Sequence, residues 1–324
     1  MRKAKRLLTA ALTTFAIGAL AGPLQAQDYP NRTIEWIVPS SAGSGFDVVT
    51  RIITNKLSDV LGQTVVVQNL PGAGGTVGSA EAATRDADGY TVLITNVNHT
   101  ANEALRPNKP YVLLEDFDPI IRFGVSHYVI VVHPSVEAET LEELLDMAKE
   151  NPGEINFATA GVGSSTFMLG MMFKSKAGVD VTHIPYEGGG PAVAAVVAGE
   201  VDYYGAPYAT GKPFIDENQL RPLAVTAGER VPFLPDLPSA SEVVPDFAFT
   251  SWYGVMMPAG APDEARQTFH DAMVETLNDP QVKEALTDLG LTLIQEGPDE
   301  FRSYLEGEIE VMKAIVSDAG ITPQ

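Results

Sequence analysis

Residues 34–47 read IEWIVPSSAGSGFD, and this stretch decides the architecture of the chain. Its mainly apolar start, Ile34–Val38, ends at Pro39, and small residues with two glycines follow. Apolar residues then recur at helical spacing from Val48 to Val60. A short apolar run, a glycine-containing loop and a helical period in this order predict a strand, a loop and a helix.

The same order recurs further along the chain. Residues 65–67 precede a glycine-rich loop at 71–75, and residues 155–158 precede the loop TAGVGSST at 159–166 and a Met-rich helical stretch. Another apolar run, Thr91–Thr95, predicts a further strand. Because strands that alternate with helices form largely parallel sheets, the predicted fold class is α/β.

The second part of the chain indicates where it passes between two lobes. An apolar run at residues 127–132 predicts a strand, and a capping box at Thr140 and Glu143 predicts the start of the next helix. Residues 224–252 are irregular and rich in proline, so we expect the chain to cross back there. The two predicted lobes are residues 28–124 plus 253–324 and residues 125–252.

The first 26 residues predict a secretory signal peptide. Four basic residues between Arg2 and Arg6 precede an apolar run at 7–20, and small residues lead to Ala26, where we expect cleavage. That run is shorter than the roughly 20 residues of a membrane span. The signal has no Arg-Arg pair, which favours the general secretory route. Without cysteine the chain has no disulfide, thiolate metal site or lipid anchor, and an unanchored exported protein is predicted to stay in the periplasm.

The charge of the mature chain narrows the class of partner. Without the signal peptide, 17 basic side chains face 42 acidic ones, a net charge of about −25. Such a field repels nucleic acid and anionic lipid. It also repels an anionic solute at long range, so a carboxylate site in this chain must rely on local donors. We expect a monomer without a cofactor or a bound metal.

Two loops are candidates for such a site, residues 39–47 and 159–166. Each places small residues between the end of a predicted strand and the start of a helix, where free backbone N–H groups and the helix dipole stabilise an anion. In open α/β sheets the ligand crevice lies at these strand ends. The alternative is that both loops are ordinary tight turns.

Other motifs favour structure over chemistry. Residues 71–78 resemble a dinucleotide loop, but Val77 stands where the third glycine is needed. The five histidines lack metal-ligand spacing. Ser164 could act as a nucleophile only in a triad assembled in space, and no sequence motif favours one. Asp47 could cap its helix and pair with Arg51 instead of binding a ligand. Three aromatic residues near the loops are candidate ligand contacts, with core packing as the alternative: Phe46, Tyr186 and Tyr204.

Motifs along the whole mature chain are similar to those of one family, the periplasmic receptors of tripartite tricarboxylate transporters, also called the Bug family. The likeness lies in short elements that occur in the same order from one end to the other. They are Tyr29-Pro30, Ile37-Val38-Pro39, Ala42-Gly43, Asp47, Leu61-Gly62-Gln63, residues 69–75, Asp88-Gly89-Tyr90, Asn151-Pro152-Gly153, His183-Ile184-Pro185-Tyr186 with Gly188, Leu223-Ala224-Val225-Thr226, residues 234–238 and Ala319-Gly320-Ile321.

This resemblance implies a two-lobed clamshell of the periplasmic-binding-protein type, type II-like, in which each lobe is a mostly parallel sheet flanked by helices. It also implies two integral membrane proteins as transport partners and an ion gradient as the energy source. Three positions depart from the family pattern by replacing polar groups with apolar ones: Phe46, Phe167 and Met171. Carried over onto this chain, the family's ligand loops correspond to Ser40, Ala42, Gly43, Ser44, Asp47, Gly161, Gly163, Ser164 and Ser165.

The function predicted from the sequence is that of a solute receptor without catalytic activity. We expect it to capture a small carboxylate with an apolar or aromatic body, since Phe46 and Phe167 cannot form hydrogen bonds with hydroxyl groups of a ligand. One alternative is a receptor for an amino acid or a C4 to C6 dicarboxylate. An alternative from another class is a periplasmic serine hydrolase that uses Ser164.

Overall fold

The computed structural model describes residues 29–318 and 321–323. The predicted signal peptide, residues 1–26, and its cleavage site lie outside the described residues. The described residues contain ten strands, namely β1 Ile34–Val38, β2 Val65–Asn69, β3 Thr91–Thr95, β4 Phe117–Val132, β5 Asn156–Thr159, β6 Thr182–Pro185, β7 Tyr203–Pro207, β8 Arg221–Val225, β9 Thr250–Pro258 and β10 Leu291–Glu296. The helices are α1 Gly45–Leu61, α2 Thr76–Ala83, α3 Val97–Leu105, α4 Leu113–Asp116, α5 Leu141–Glu150, α6 Ser165–Ala177, α7 Gly189–Val197, α8 Tyr208–Asp216, α9 Asp263–Asn278, α10 Pro280–Asp288 and α11 Pro298–Asp318.

The strands form a mixed sheet in the order β2-β1-β3-β9-β4-β7-β5-β6, and β8 and β10 also pair with β4. The outer strands are parallel: β1 pairs with β2 and β3, and β5 pairs with β6 and β7. The centre is antiparallel, since β9 and β4 run in opposite directions. The sheet is therefore less parallel than expected, because the two strands that carry the chain between the lobes lie side by side.

Strand β4 belongs to both lobes. Its first part pairs with β9 and β10, and its last part, from Tyr128 to Val132, pairs with β7 and β8. We call the strands β1, β2, β3, β9 and β10 with the start of β4 the first half, and β5 to β8 with the end of β4 the second half. The residue bounds that the sequence suggested for the lobes stay a prediction.

Helix α1 illustrates how the sequence builds each strand–loop–helix unit. Val49, Ile53 and Leu57 lie on one face at helical spacing and are fully buried in the first half. Burial of each such side chain contributes about 1.5–3 kcal/mol relative to exposure. The Ser44 hydroxyl caps the helix by accepting a hydrogen bond from the Asp47 amide at 3.3 Å. The helix begins at this serine because its hydroxyl supplies a hydrogen-bond acceptor to a first-turn amide that has no acceptor within the helix.

The second half repeats this design. The Ser164 hydroxyl accepts a hydrogen bond from the Phe167 amide at 3.1 Å and so caps α6. The predicted capping box of α5 is present, with the Thr140 hydroxyl and the Glu143 carboxylate each accepting from the other residue's backbone amide. The loops of both halves therefore deliver helix N-termini to the carboxyl ends of the strands, where the halves face each other.

Candidate ligand-binding site

A cavity lies between the two halves at the carboxyl ends of their strands. Its volume is about 30 Å³, room for about one water molecule, so the two halves lie nearly closed against each other. Its walls come from both halves of the sheet. The lining residues are Ser40, Ser44, Gly45, Phe46, Asn96, Asn98, Tyr128, Ala160, Ser164, Ser165, Thr166, Gly189, Tyr204, Pro207, Thr210 and Tyr253.

Five helices begin at this cavity. The first turns or caps of α1, α3, α6, α7 and α8 all contribute to its lining, and each of these helices follows directly after a strand. The first amides of a helix have no partner within it, and its dipole places a partial positive charge there. Five such ends around one small space make that space favourable for an anion.

Among the described residues, those that line the cavity include no charged side chain and no histidine; their polar groups are neutral amides and hydroxyls. The chain as a whole is strongly acidic. The positive potential at the helix N-termini is therefore opposite in sign to the potential produced by the net charge. An anion in this cavity would be held by uncharged donors and helix dipoles, without a cationic side chain.

Asp47 lies just outside the cavity and is committed to its own loop. Its carboxylate accepts hydrogen bonds from the Gly43 amide at 3.0 Å and from the Arg51 guanidinium at 2.9 Å. Burial raises the pKa of this carboxyl, but the hydrogen bonds from Arg51 and Gly43 outweigh burial and hold the pKa below its usual value. The pairing with Arg51 that was an alternative to ligand binding is therefore present, whereas the cap of α1 is Ser44 and not Asp47; a ligand contact of Asp47 stays a prediction.

In the loop that precedes α6, polar groups are likewise hydrogen-bonded within the protein. The Ser165 amide donates to the Asn98 side-chain oxygen at 2.5 Å, which joins the second half to the first. The Ser164 hydroxyl caps α6 and lies 3.0 Å from the Thr166 hydroxyl. Because the Thr166 hydroxyl also accepts from the Ala160 amide at 2.9 Å, the hydroxyls of this loop are engaged with one another.

Six of the thirteen predicted ligand contacts line the cavity and seven do not. Ser40, Ser44, Phe46, Ser164, Ser165 and Tyr204 line it. The Phe167 ring instead packs 5.1 Å from the His183 ring, and a Cβ on Gly161 would meet the Tyr186 carbonyl at 3.2 Å. The residues outside the lining are Ala42, Gly43, Asp47, Gly161, Gly163, Phe167 and Tyr186.

Gly163 packs closely against the first half, where a larger residue would not fit. A Cβ on this residue would overlap the side-chain oxygen of Asn102, which belongs to the first half. A Cβ on Gly74 would lie 2.6 Å from the Val162 carbonyl oxygen, and the Arg106 guanidinium donates to that same oxygen at 3.0 Å. We call the contacts of Gly74, Asn98, Asn102 and Arg106 with residues 162–165 the cleft clasp.

Ten lining residues were not among the predicted ligand contacts, although Gly45, Ala160 and Thr166 belong to the two predicted loops. Most of them follow strand ends, and the rule that selected two loops could have selected all five had it been applied to every strand end. Tyr128 and Tyr253 carry no such signal, since they lie within strands at the crossing between the halves. The missed residues are Gly45, Asn96, Asn98, Tyr128, Ala160, Thr166, Gly189, Pro207, Thr210 and Tyr253.

Three tyrosines at the floor of the cavity remain un-ionised at neutral pH. Burial raises the pKa of Tyr128 to about 12, although hydrogen bonds with Ser165 and Ser251 lower it in part. Burial likewise raises the pKa values of Tyr204 and Tyr253. All three hydroxyls are therefore hydrogen-bond donors at physiological pH.

Neither a metal cluster nor a membrane-spanning helix is found in the described part of the chain. Residues 29–318 and 321–323 hold no group of three or more His, Asp or Glu side chains placed to bind a metal ion. Within the same ranges, no helix combines the length and apolarity needed to cross a bilayer.

Comparison with known proteins identifies the family. The sequence model of the tripartite tricarboxylate transporter family receptor matches residues 49–321. The chain belongs to this receptor family. BugT from Bordetella pertussis is 33% identical to this receptor over 320 residues, which cover 97% of this chain and 98% of BugT. A protein of Pseudomonas sp. strain P51, described by its position in the tcbD-tcbE intergenic region, is 33% identical over 290 residues, 89% of this chain and 86% of its own length.

Solved structures of relatives have the same two-lobed fold. The receptor is similar to a periplasmic transporter with a TM-score of 0.88 and 33% identity, over 91% of this chain and all of the other. Rpa4515 of R. palustris, solved with adipate, gives a TM-score of 0.89 and 28% identity over 92% of this chain and 100% of its own. MatC of Rhodopseudomonas palustris, solved with malate, gives 0.84 and 29% over 89% and 100%. The family is one of periplasmic solute-binding receptors and not of enzymes.

Proposed function

We propose that this protein binds a small carboxylate in the cavity between its halves and delivers it to a membrane transporter of the tripartite tricarboxylate type. Two integral membrane subunits would receive the ligand, as the family resemblance implies. The relatives solved with adipate and with malate support a carboxylate ligand.

The observation that carries this proposal is the convergence of five helix N-termini on a cavity without charged side chains. Each helix end stabilises a negative charge by about 0.3–1 kcal/mol, and by up to about 2 kcal/mol where the site is partly buried. A neutral solute would gain little from this arrangement. A cation would be destabilised by it, so the site favours a carboxylate.

The same geometry disfavours the serine hydrolase. The Ser164 hydroxyl serves as the cap of α6, and no His, Asp, Glu or Lys lines the cavity around it. A serine nucleophile needs an adjacent base to accept its proton. Within the described residues that line this site, such a base is absent, and the receptor remains the supported function.

The nature of the ligand body rests on Phe46 alone. Phe46 lines the cavity, and its ring packs 5.6 Å from that of Tyr253. Phe167 lies outside the lining, so it no longer supports a ligand with an aromatic body. We propose a ligand with few hydroxyl groups along its carbon chain.

We also propose that residues 28–124 with 253–324 and residues 125–252 move as two lobes that close on the ligand. The cavity is lined from both sides, which supports closure of this kind. Export by the general secretory route, with removal of the signal peptide near Ala26, and a monomeric mature protein complete the proposal. Mass spectrometry of the protein recovered from the periplasm gives its first residue.

A thermal-shift screen followed by calorimetry tests the receptor. Each carboxylic acid in the panel is paired with its primary amide, which keeps the carbon skeleton but removes the negative charge. Acids that bind should raise the melting temperature, whereas the amides should not. At a ligand concentration a hundredfold above Kd, binding adds about 2.7 kcal/mol to the free energy of unfolding. Equal binding of acid and amide would contradict an anion site at the helix ends.

A further inference from the structure

One contact of the cleft clasp holds a helix end that a ligand would need. The Asn98 side-chain oxygen accepts a hydrogen bond from the Ser165 amide at 2.5 Å. Asn98 lies in the first turn of α3, in the first half, and Ser165 is the first residue of α6, in the second half. Both residues are buried and both line the cavity. The contact therefore lies inside the proposed binding site and not at its rim.

This contact removes a donor from the N-terminus of α6. The first amides of a helix have no acceptor within the helix. The Phe167 amide donates to the Ser164 hydroxyl at 3.1 Å, and the Ser165 amide donates to Asn98. Of the first three amides of α6, that of Thr166 remains for a ligand. A carboxylate accepts about four hydrogen bonds, so it would meet few donors at this helix while Asn98 is in place.

The Asn98 side chain also takes up space in the site. With this side chain in place, the cavity has a volume of about 30 Å³, which holds about one water molecule. A carboxylate with a carbon chain is larger, so its binding requires part of the wall to move. Among the described residues, the side chain of Asn98 is hydrogen-bonded to Ser165 alone. Its backbone amide donates to the Asn96 side chain at 2.8 Å, so α3 keeps its cap when the Asn98 side chain rotates.

A ligand can displace Asn98 because the ligand is charged. The oxygen of an asparagine side chain is neutral, whereas hydrogen bonds to an ionised carboxylate are shorter and about twice as strong. The dipole of α6 adds to this difference, since it stabilises a negative charge at the N-terminus of the helix. A carboxylate is therefore a better acceptor for the Ser165 amide than Asn98 is.

We propose that Asn98 is an internal competitor of the ligand, whose side-chain oxygen occupies the place of a ligand oxygen at the start of α6 and leaves when the ligand binds. This inference rests on the proposed function, because it concerns the regulation of the same site. The contact holds the halves together when no ligand is bound. It also lowers the apparent affinity, in proportion to the fraction of molecules in which the Ser165 amide is free.

Calorimetry on Asn98→Ala tests the competition. The acid that raises the melting temperature most in the thermal-shift screen is titrated into the wild type and into the variant. Alanine removes the acceptor and widens the cavity, and α3 should be retained because alanine is the best helix former. We expect the variant to bind the acid about two- to tenfold more tightly, which corresponds to the loss of one competing hydrogen bond. Unchanged or weaker binding would overturn the proposal.

Arg106→Gln is the matched control for loosening of the halves. The Arg106 guanidinium also joins the halves, because it donates to the Val162 carbonyl at 3.0 Å, but it holds no amide of a helix end. This variant should bind the acid no more tightly than the wild type. If both variants bind more tightly, the cause is a weaker contact between the halves and not release of the Ser165 amide, and the competitor proposal is wrong.

Asn98→Asp provides the opposite change. The substitution keeps the shape of the side chain and adds a negative charge, which the N-termini of α3 and α6 both stabilise. It should raise the melting temperature of the ligand-free protein by a few degrees and weaken binding of the acid by more than about tenfold. A lower melting temperature together with unchanged affinity would show that this side chain does not compete at α6.

Hydrogen exchange of single amides, measured by NMR, gives a readout that needs no ligand. In the ligand-free protein, the Ser165 amide should exchange severalfold faster in Asn98→Ala than in the wild type, because it has lost its acceptor. The Phe167 amide is the internal control, since it is held by the Ser164 hydroxyl and should exchange at the same rate in both. Equal protection of Ser165 in the two proteins would mean that Asn98 does not hold this amide, and the proposal would fail.

The outcomes separate this proposal from the function on which it rests. If the wild type binds acids but not their amides, and Asn98→Ala binds them no better, the receptor stands and the competitor is wrong. If Asn98→Ala binds an acid that the wild type does not bind, both are supported. If neither protein binds any acid, the carboxylate receptor fails and the competitor proposal fails with it.

Discussion

Gly45 stands where the backbone of α1 comes closest to the hydroxyls of the cavity. A Cβ there would lie 2.9 Å from Tyr253 Oη and 3.3 Å from Thr210 Oγ1, and Tyr253 is buried and cannot turn away. Gly45→Ala should therefore fill space that the ligand needs and weaken binding by more than about tenfold, with the helix retained. Calorimetry with the best acid measures the loss.

The control for Gly45→Ala is Gly307→Ala. Gly307 lies in α11, and a Cβ there meets nothing within 4 Å. The same substitution should leave affinity unchanged and stabilise the protein by about 0.5–1 kcal/mol, because alanine is the better helix former. Unchanged binding in Gly45→Ala would mean that the ligand does not approach the start of α1.

His99 makes the stability of the protein depend on pH. Its ring is buried, its Nε2 lies 3.0 Å from the Ser79 hydroxyl, and its Nδ1 accepts from the Asn96 amide at 3.2 Å. Since the Ser79 hydroxyl donates to the Gly75 carbonyl, Nε2 must carry the proton and the ring is neutral. Burial lowers the pKa of His99 to about 4, and the Asn96 carbonyl oxygen, 3.2 Å from Nδ1, opposes the shift because it can accept a hydrogen bond from the protonated ring.

The sign of the pH effect follows from this depressed pKa. An unfolded chain binds a proton at His99 below pH of about 6.5, whereas the folded protein does not until about pH 4. Lowering the pH from 7 to 5 should therefore destabilise the wild type by about 2 kcal/mol more than His99→Gln, in which glutamine keeps the capping box of α3. Urea unfolding at both pH values measures this difference, and parallel profiles would contradict it.

The cleft clasp joins the two halves, so a substitution in it tests whether the halves close on the ligand. Gly74 has a φ of 64°, and a Cβ there would lie 2.6 Å from the Val162 carbonyl oxygen and 2.7 Å from the Gly163 carbonyl carbon. Backbone atoms cannot swing aside, so Gly74→Ala should hold the halves apart. We expect weaker ligand binding and a larger radius of gyration for the ligand-saturated protein in solution scattering.

Gly62→Ala separates this effect from backbone strain. Gly62 ends α1 with a φ of 63°, nearly that of Gly74, but a Cβ there meets nothing within 4 Å. Both variants should therefore carry the left-handed strain of about 1–2 kcal/mol, and only Gly74→Ala should change affinity and shape. If the two variants bind alike, the clasp does not limit closure.

Among the helices and strands, those whose apolar residues follow a local period could be predicted from the sequence. The strand, glycine loop and helix at residues 34–61 and 156–177 form as their apolar periods indicate. The first part of β4 could not be predicted in this way, because Pro119 and Gly124 interrupt its pattern, and only pairing with the distant β9 and β10 makes it a strand. For the same reason the sequence did not indicate that Tyr128 and Tyr253 line the cavity, because their position there depends on this long-range pairing.

Across the whole molecule, the net charge, −21 for the full sequence, opposes the approach of an anionic ligand. Salt shortens the reach of this repulsion from about 30 Å at 0.01 M to about 8 Å at 0.15 M. Since no lysine or arginine lines the cavity, we expect the association rate constant of the acid to rise with salt over this range, opposite to a site built from basic residues. Stopped-flow fluorescence measures it, and a rate that falls with salt would indicate cationic side chains in the path.

Strand β4 also sets an order of events during synthesis of the chain. It pairs with β10, and the ion pair between Arg122 and Glu296 joins residues 174 positions apart. The first half cannot be completed until nearly the entire polypeptide has left the ribosome, and contacts of such long range form slowly. We therefore expect the nascent chain to acquire its native shape only when synthesis is nearly complete, which would keep it unfolded for passage through a translocation channel.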